Sequence, residues 1–265
     1  MRPAHFIILP AIIAVSLTGC AATVEEPPQS KQVRIGELAP LDARRRGLAL
    51  PPAVNLMVVT YAIPSSEYER AMQLAMALLN SGPGILRNPE DFRANGFAAA
   101  TGGANRMNVI NDILQRSQAT LLSRNYYAIF DDKGNDVEMA VVPRVVSIPY
   151  TRNGVIENVT LRGGQLAFRI AVRRFRNQPI AFRISLDSVW KPRRDPTFVE
   201  RTTGIIRETV FASAGIETAM QIGEMILIGA SAANRQEPVL ADMFMTDHDR
   251  GMMKMVIVMC TGISQ

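Results

Sequence analysis

Histidine, cysteine and tryptophan are scarce in this 265-residue chain, which holds two, two and one of them. Zinc and iron centres ordinarily draw on several His or Cys ligands, so so few of them argue against a transition-metal enzyme. His5 lies in the first few residues, which leaves His248 as the one imidazole of the folded region. No Ser sits in a G-x-S-x-G turn, and a Ser or Cys nucleophile with a His base would have to rely on His248. Phosphate-binding glycine patterns are missing too. Thr101-Gly102-Gly103-Ala104-Asn105 has neither G-x-G-x-x-G nor G-x-x-x-x-G-K spacing, and reads as a plain turn with Asn105 as the cap of a following helix. Asp131 to Asp136 lacks the spacing of a calcium loop and reads as a hairpin turn. Asp242, Asp247, His248 and Asp249 come nearest to a metal set, but a lone His among carboxylates in a polar loop ordinarily sits in solvent. The expectation is a non-catalytic protein without metal or cofactor, a metal-dependent hydrolase at His248 being the alternative chemistry.

Long apolar runs are absent as well. Phe6 to Leu17 is an apolar stretch of about 12 residues, too short to span a bilayer but the length of the centre of a secretory signal. Arg2 and His5 precede it and small residues follow, which completes the pattern of an export signal. Its end, Leu17-Thr18-Gly19-Cys20, resembles the lipobox of bacterial lipoproteins. The resemblance implies cleavage before Cys20, a diacylglyceryl group on its thiol and acylation of the new N-terminus. Two acyl chains already suffice for stable anchoring, so three imply permanent attachment. Ala21 and Ala22, with no Asp behind the Cys, resemble lipoproteins sent to the outer membrane, which implies the periplasmic face of that membrane. With Cys20 lipidated, Cys260 has no intramolecular partner and no disulfide holds the fold. Cys260 sits in Val256-Ile257-Val258-Met259-Cys260, which reads as a buried strand.

What the chain does have is apolar residues, 48% of the total and spread throughout, enough for a packed core. Residues 1–19 read as the signal peptide, 20–52 as a lipid-anchored Pro-containing tether, and 53–265 as an α+β globular region. That region reads either as one domain or as an α/β part, 53–124, and a β part, 125–265. Val54 to Ile63 is short and β-branched, hence a strand. Ser66 and Glu69 have capping-box spacing before a helix to about Asn80, and Ser81-Gly82-Pro83-Gly84 ends it. A short helix, Pro89 to Asn95, is closed by Gly96. From Asn125 the pattern turns to period two. Tyr126–Phe130 and Val137–Val142 flank an acidic turn; Val145–Tyr150 and Val155–Leu161 flank Asn153-Gly154, a type I′ signal. Gly204–Ala212, Ile222–Gly229 and Met252–Gly262 complete the strands, the last apolar enough for a central place. The architecture expected is a small strand-helix-helix module followed by a mainly antiparallel β-sheet or sandwich.

Charge is uneven. Between Thr160 and Arg194 stand nine basic residues and one acid, Asp187, a local excess of eight within a chain whose net charge is +5. In the hairpin there, Leu166, Phe168, Ile170, Val172, Ile180, Phe182, Ile184 and Leu186 share the apolar face. Even pairs with even only across an odd loop, so a three- or five-residue connection should pair Val172 with Phe182. Arg169, Arg173 and Arg183 then share the other face, a candidate binding surface for an envelope protein or an anionic envelope polymer. The aromatics of this hairpin lie on or near its apolar face rather than among the arginines, which argues against nucleic acid.

Two further stretches carry resemblances. Gly223-Glu224-Met225-Ile226-Leu227-Ile228-Gly229, then Pro238-Val239-Leu240-Ala241-Asp242-Met243-Phe244 and an apolar terminal strand, resemble the end of the outer-membrane secretin module, without the second loop Pro and double Gly of that family. This implies an oligomeric or secretion-accessory subunit, associating through sheet edges. Phe92-Arg93-Ala94-Asn95-Gly96-Phe97 is similar to a box in uncharacterised exported planctomycete proteins and implies no activity. Metabolic labelling with a palmitate analogue should mark the wild-type protein and leave Cys20→Ser unmarked; a labelled variant would end the lipobox reading.

Overall fold

The computed structural model describes residues 53–80, 88–130, 134–175, 178–192, 208–231 and 238–264. Cys20 and the expected signal and tether lie outside these residues, as do the expected break at 81–84 and most of the expected polar loop after Ser231. Residues 50–265 make one compact unit, and its fold is α+β with antiparallel sheets.

The first strand, β1 (Val54–Pro64), runs directly into helix α1 (Ser65–Ala77). No side chain caps that helix, so the expected Ser66/Glu69 box does not form. The first turn is held from outside instead: Ser65 donates through both N–H and Oγ to the Gly251 carbonyl, at 3.0 and 2.8 Å. Glu69 turns to Gln73, whose Nε2 donates to it at 3.2 Å. Helix α2 (Pro89–Ala94) begins with Pro after Asn88, whose side chain accepts from the Asp91 N–H, and ends before Gly96 at φ 91°. Both ends follow from local chemistry.

The glycine-rich stretch is not a turn. Phe97–Gly103 forms strand β2, and a Cβ on Gly102 would lie 2.4 Å from the Leu79 side chain, so the glycine lets the end of the α1 region pass close. Asn105 falls inside a 3-10 turn, Ala104–Arg106, and does not cap helix α3 (Met107–Arg116). Ile110 and Leu114 of α3 are buried.

Strand β3 (Thr120–Ile129) pairs with β1, whereas β4 (Asn135–Arg152) pairs with β5 (Val155–Phe175); the expected hairpin across the acidic turn is therefore a passage between two sheets. Sheet one also takes β8 (Glu224–Ala230), β10 (Met252–Ile263) and the two-residue β9 (Thr246–Asp247), in the order β2-β8-β10-β1-β3 with β9 against β10. Strands from both sides of residue 124 thus share one sheet, and β10 is central in it. Sheet two is a meander, β4-β5-β6-β7, with β6 at Gln178–Lys191 and β7 at Thr209–Gln221. Ile222 belongs to the turn before β8, where Gly223 has φ 80°.

Helices α1 and α3 cover one face of sheet one. Tyr68 of α1 is fully buried and its hydroxyl both accepts from the Ala230 N–H (2.7 Å) and donates to the Ala230 carbonyl (3.2 Å). Burial pushes its pKa well above the ordinary phenol value. Tyr61 reaches Asn111 of α3. Sheet two meets the other face through aromatic rings: Phe97 of β2 lies 6.1 Å from Phe168 of β5, and Phe244 of the short helix α4 (Leu240–Met245) lies 5.7 and 5.3 Å from the two. Phe92 of α2 joins at 5.4 Å.

The β4-β5 turn has Asn153 at φ 52° and Gly154 at φ 75°, with Arg152 facing Val155, the two-residue type I′ geometry. It is also latched. Asp91 accepts from the N–H groups of Asn153 and Gly154 at 2.5 and 2.9 Å, and Asn95 exchanges hydrogen bonds with the Thr151 backbone at 2.7 and 2.8 Å. Burial pushes the Asp91 carboxyl up, but these N–H groups together with Ser213 and Asn88 outweigh it and hold it below the ordinary carboxylate value. A depressed folded-state pKa contributes stability above the unfolded value of about 3.9 that is lost as pH falls through the folded one. Asp91→Asn should therefore cost about 1–3 kcal/mol at pH 7, with the gap to wild type closing below about pH 4 in urea titrations; a gap independent of pH would assign the latch to packing.

Candidate functional site

Arg169, Arg173 and Arg183 do share the outward face of sheet two, as alternation requires. Leu166, Phe168, Ile170, Val172, Phe182, Ile184 and Leu186 are buried, so their odd-numbered neighbours point out of sheet two. The pairing keeps even opposite even, but Val172 faces Ile184, two residues from the expected Phe182. A register shift between Arg174 and Phe175 accounts for the offset. Arg169, Arg173 and Arg183 come together along a shallow groove of about 230 Å³ that Ser185, Asp187 and Glu217 also line.

Its electrostatics differ from the expectation. Arg169 donates to Asp136 of β4 through Nε at 2.9 Å and to Glu208, just before β7, through its terminal nitrogens at 2.5 and 2.8 Å. Asp136 also pairs with Lys191 of β6. Arg183 reaches Glu217 of β7 at 3.0 Å and lies over the Phe175 ring, 5.7 Å from its centre. Arg173, directly opposite Arg183, is engaged as well, as are Asp187 and Glu217. Arg169, Arg173, Arg183 and Lys191 thus face four carboxylates, Asp136, Asp187, Glu208 and Glu217, and the group is neutral as a whole. The local excess of eight counted along the sequence left out carboxylates that β4 and β7 supply from outside the window, while Arg176, Arg193 and Arg194 lie outside the described residues. Burial pushes the Asp136 carboxyl up, yet Arg169 and Lys191 overcome this and hold it below its ordinary value. Glu208 first, then Asp136, push the Arg169 guanidinium still further up.

The acidic set around His248 does not converge. Asp242 accepts from the Val239 N–H at 2.8 Å and caps α4, and Asp247 accepts from the Arg250 N–H and pairs with its guanidinium at 3.8 Å. No three His, Cys, Asp or Glu side chains gather as a metal set among the described residues. Cys260 is buried within β10, and burial pushes its thiol pKa up.

A second groove, of about 510 Å³, opens between the β4 stretch Ala140–Val146 and the turn Thr246–Asp249, with Lys254 and Met243 in its lining. Sequence reasoning overlooked it. The one signal was Lys254, a lone charge inside the apolar run Met252-Met253-Lys254-Met255-Val256. Set against known proteins, the chain matches no family model, no curated protein and no solved structure. Among the described residues no helix is long and apolar enough to cross a membrane.

Burial decides which arginine matters for stability. The Arg169 side chain is 25% exposed and serves two carboxylates, while that of Arg183 is 50% exposed and reaches Glu217. Arg169→Ala should cost about 1–3 kcal/mol in urea unfolding, and Arg183→Ala less than about 1 kcal/mol. Equal small losses would mean that water screens both.

Proposed function

We propose that this chain is a non-catalytic envelope lipoprotein, anchored through Cys20, whose folded region binds or braces another envelope component. The lipobox resemblance supports the location, and the self-neutralised arginine face supports a binding surface elsewhere. The observation that carries the reading is β3, which ends the order of sheet one with β1 as its partner on one side. Leu121, Leu122 and Tyr126 of β3 and the adjoining Phe130 are 47, 44, 69 and 45% exposed. Among the described residues nothing pairs with the far side of β3, and an edge strand with exposed apolar side chains offers a row of backbone donors and acceptors to any incoming strand. Arg169, Arg173 and Arg183 then contribute to the stability of sheet two rather than a positive field.

The same edge favours a second reading, in which the incoming strand comes from another copy of this chain, in keeping with the secretin resemblance. Crosslinking in intact cells, with mass spectrometry of the products, tests both. Tyr126→Glu with Leu121→Glu should abolish capture of a heterologous envelope protein, while Arg169, Arg173 and Arg183 changed singly to Gln should preserve it. Crosslinks between identical chains alone, lost in the same variant, would move the reading to the oligomer. Capture that survives the β3 changes and fails with the arginine changes would return it to the arginine face.

A further inference from the structure

The groove between β4 and the turn after α4 has a chemistry that neither the anchor nor the β3 edge uses. Its polar centre is Lys254 of β10, half-buried, whose ammonium donates across to the Met139 carbonyl of β4. One acceptor satisfies one of its three N–H groups, and among the described residues no carboxylate stands within ion-pair distance of it. Desolvation lowers its pKa, opposed by the more distant Asp247. A half-buried ammonium with spare donors at the wall of a cavity is an anion-receiving group. The lining carries charges of both signs: Arg144 joins Lys254, against Asp247, which pairs with Arg250, and Asp249, exposed on the rim.

The β4 side of the wall is mainly aliphatic, and Thr246 and His248 stand on the turn side. Val141, Val142, Pro143, Val146 and Met243 supply the aliphatic part, Val141 stands 62% exposed, and among the described residues no Phe, Tyr or Trp takes part. Flexible aliphatic walls suit an alkyl chain, whereas planar ligands are ordinarily held by aromatic faces. The backbone speaks against a peptide strand, because the β4 ladder is broken between Glu138 and Ala140 and again between Val142 and Val145, and Pro143 has no N–H to offer. The volume of about 510 Å³ lies within the usual range for small-molecule sites.

We propose that this groove binds a single-chain amphiphile with an anionic head, of the fatty-acid class, its carboxylate on Lys254 and its chain along Val141, Val146 and Met243. The site is independent of the β3 edge and of the identity of any protein partner.

The test is photolabelling of the full chain, in a non-ionic detergent, with a decanoate analogue carrying a diazirine on its chain. Adducts should map to peptides covering 140–146 and 243–254, and excess decanoate should compete while decyltrimethylammonium should not. Lys254→Met, which keeps the stem and removes the charge, should lower labelling about tenfold, the equivalent of about 1.4 kcal/mol. Val141→Asp, at an exposed position, should lower it as well and decides the matter if Lys254→Met does not fold. Adducts scattered over the chain, equal competition by the cationic amphiphile, or wild-type labelling in Val141→Asp would overturn the proposal.

Discussion

Four phenylalanine rings, Phe92, Phe97, Phe168 and Phe244, bind the two sheets and two short helices into one body. Each comes from a different element, so no single segment can satisfy its apolar surface alone. Helices α2 and α4 have six residues each, far below the length at which an isolated helix holds in water. Their rings reach the cluster only if they are helical, and they are helical because the cluster receives the rings. Aromatic side chains contribute large buried area and favour the tilted and edge-on arrangements seen here. The layers of this fold meet at that contact.

Around this centre, the outer surface of sheet two follows from alternation along β5 and β6. Residues that face the rings are apolar, and the opposite side carries charge in matched pairs drawn from all four strands, while Val145, Val155 and Ile156 stand exposed elsewhere on β4 and β5. Cross-strand like charges such as Arg173 and Arg183 are costly by themselves. Glu217 and the Phe175 ring beside Arg183 make the juxtaposition tolerable. The features not resolved within the domain lie elsewhere: the β3 edge, with its exposed side chains, and the groove at Lys254. Both sit where a sheet ends or where its ladder breaks, which is where a β-rich fold runs out of internal partners.

Much of this was legible along the chain because it depends on neighbours in sequence. Asn153-Gly154 announces its own turn, Gly96 its own helix end, and the run from Val256 to Cys260 its central place. The even and odd faces of β5 and β6 were legible too, since parity survives a slip of two residues even though Val172 meets Ile184. What could not be read depends on distant partners. Gly102 and Gly103 look like a turn until Leu79 and β8 are seen beside them. The acidic turn at 131–136 looks like a hairpin because nothing local reveals that β3 and β4 belong to different sheets. The arginine face looks basic because Asp136, Glu208 and Glu217 arrive from strands β4 and β7 or their flanks. Asp242 looks like a ligand until it is found capping α4.

The central sheet places the first strand of the domain beside the last, with Val54 opposite Ile263 and Pro64 opposite Met252. A ribosome or a translocation pore delivers a polypeptide one end at a time, and β1 emerges long before the strand it needs. Until Met252–Ile263 is free, the middle of sheet one stays open and the chain remains threadable. Completion then depends on the slowest kind of contact to form, one that spans nearly the whole domain in sequence. Such an order of events would keep the chain in a threadable form during export, the route that the lipobox resemblance implies.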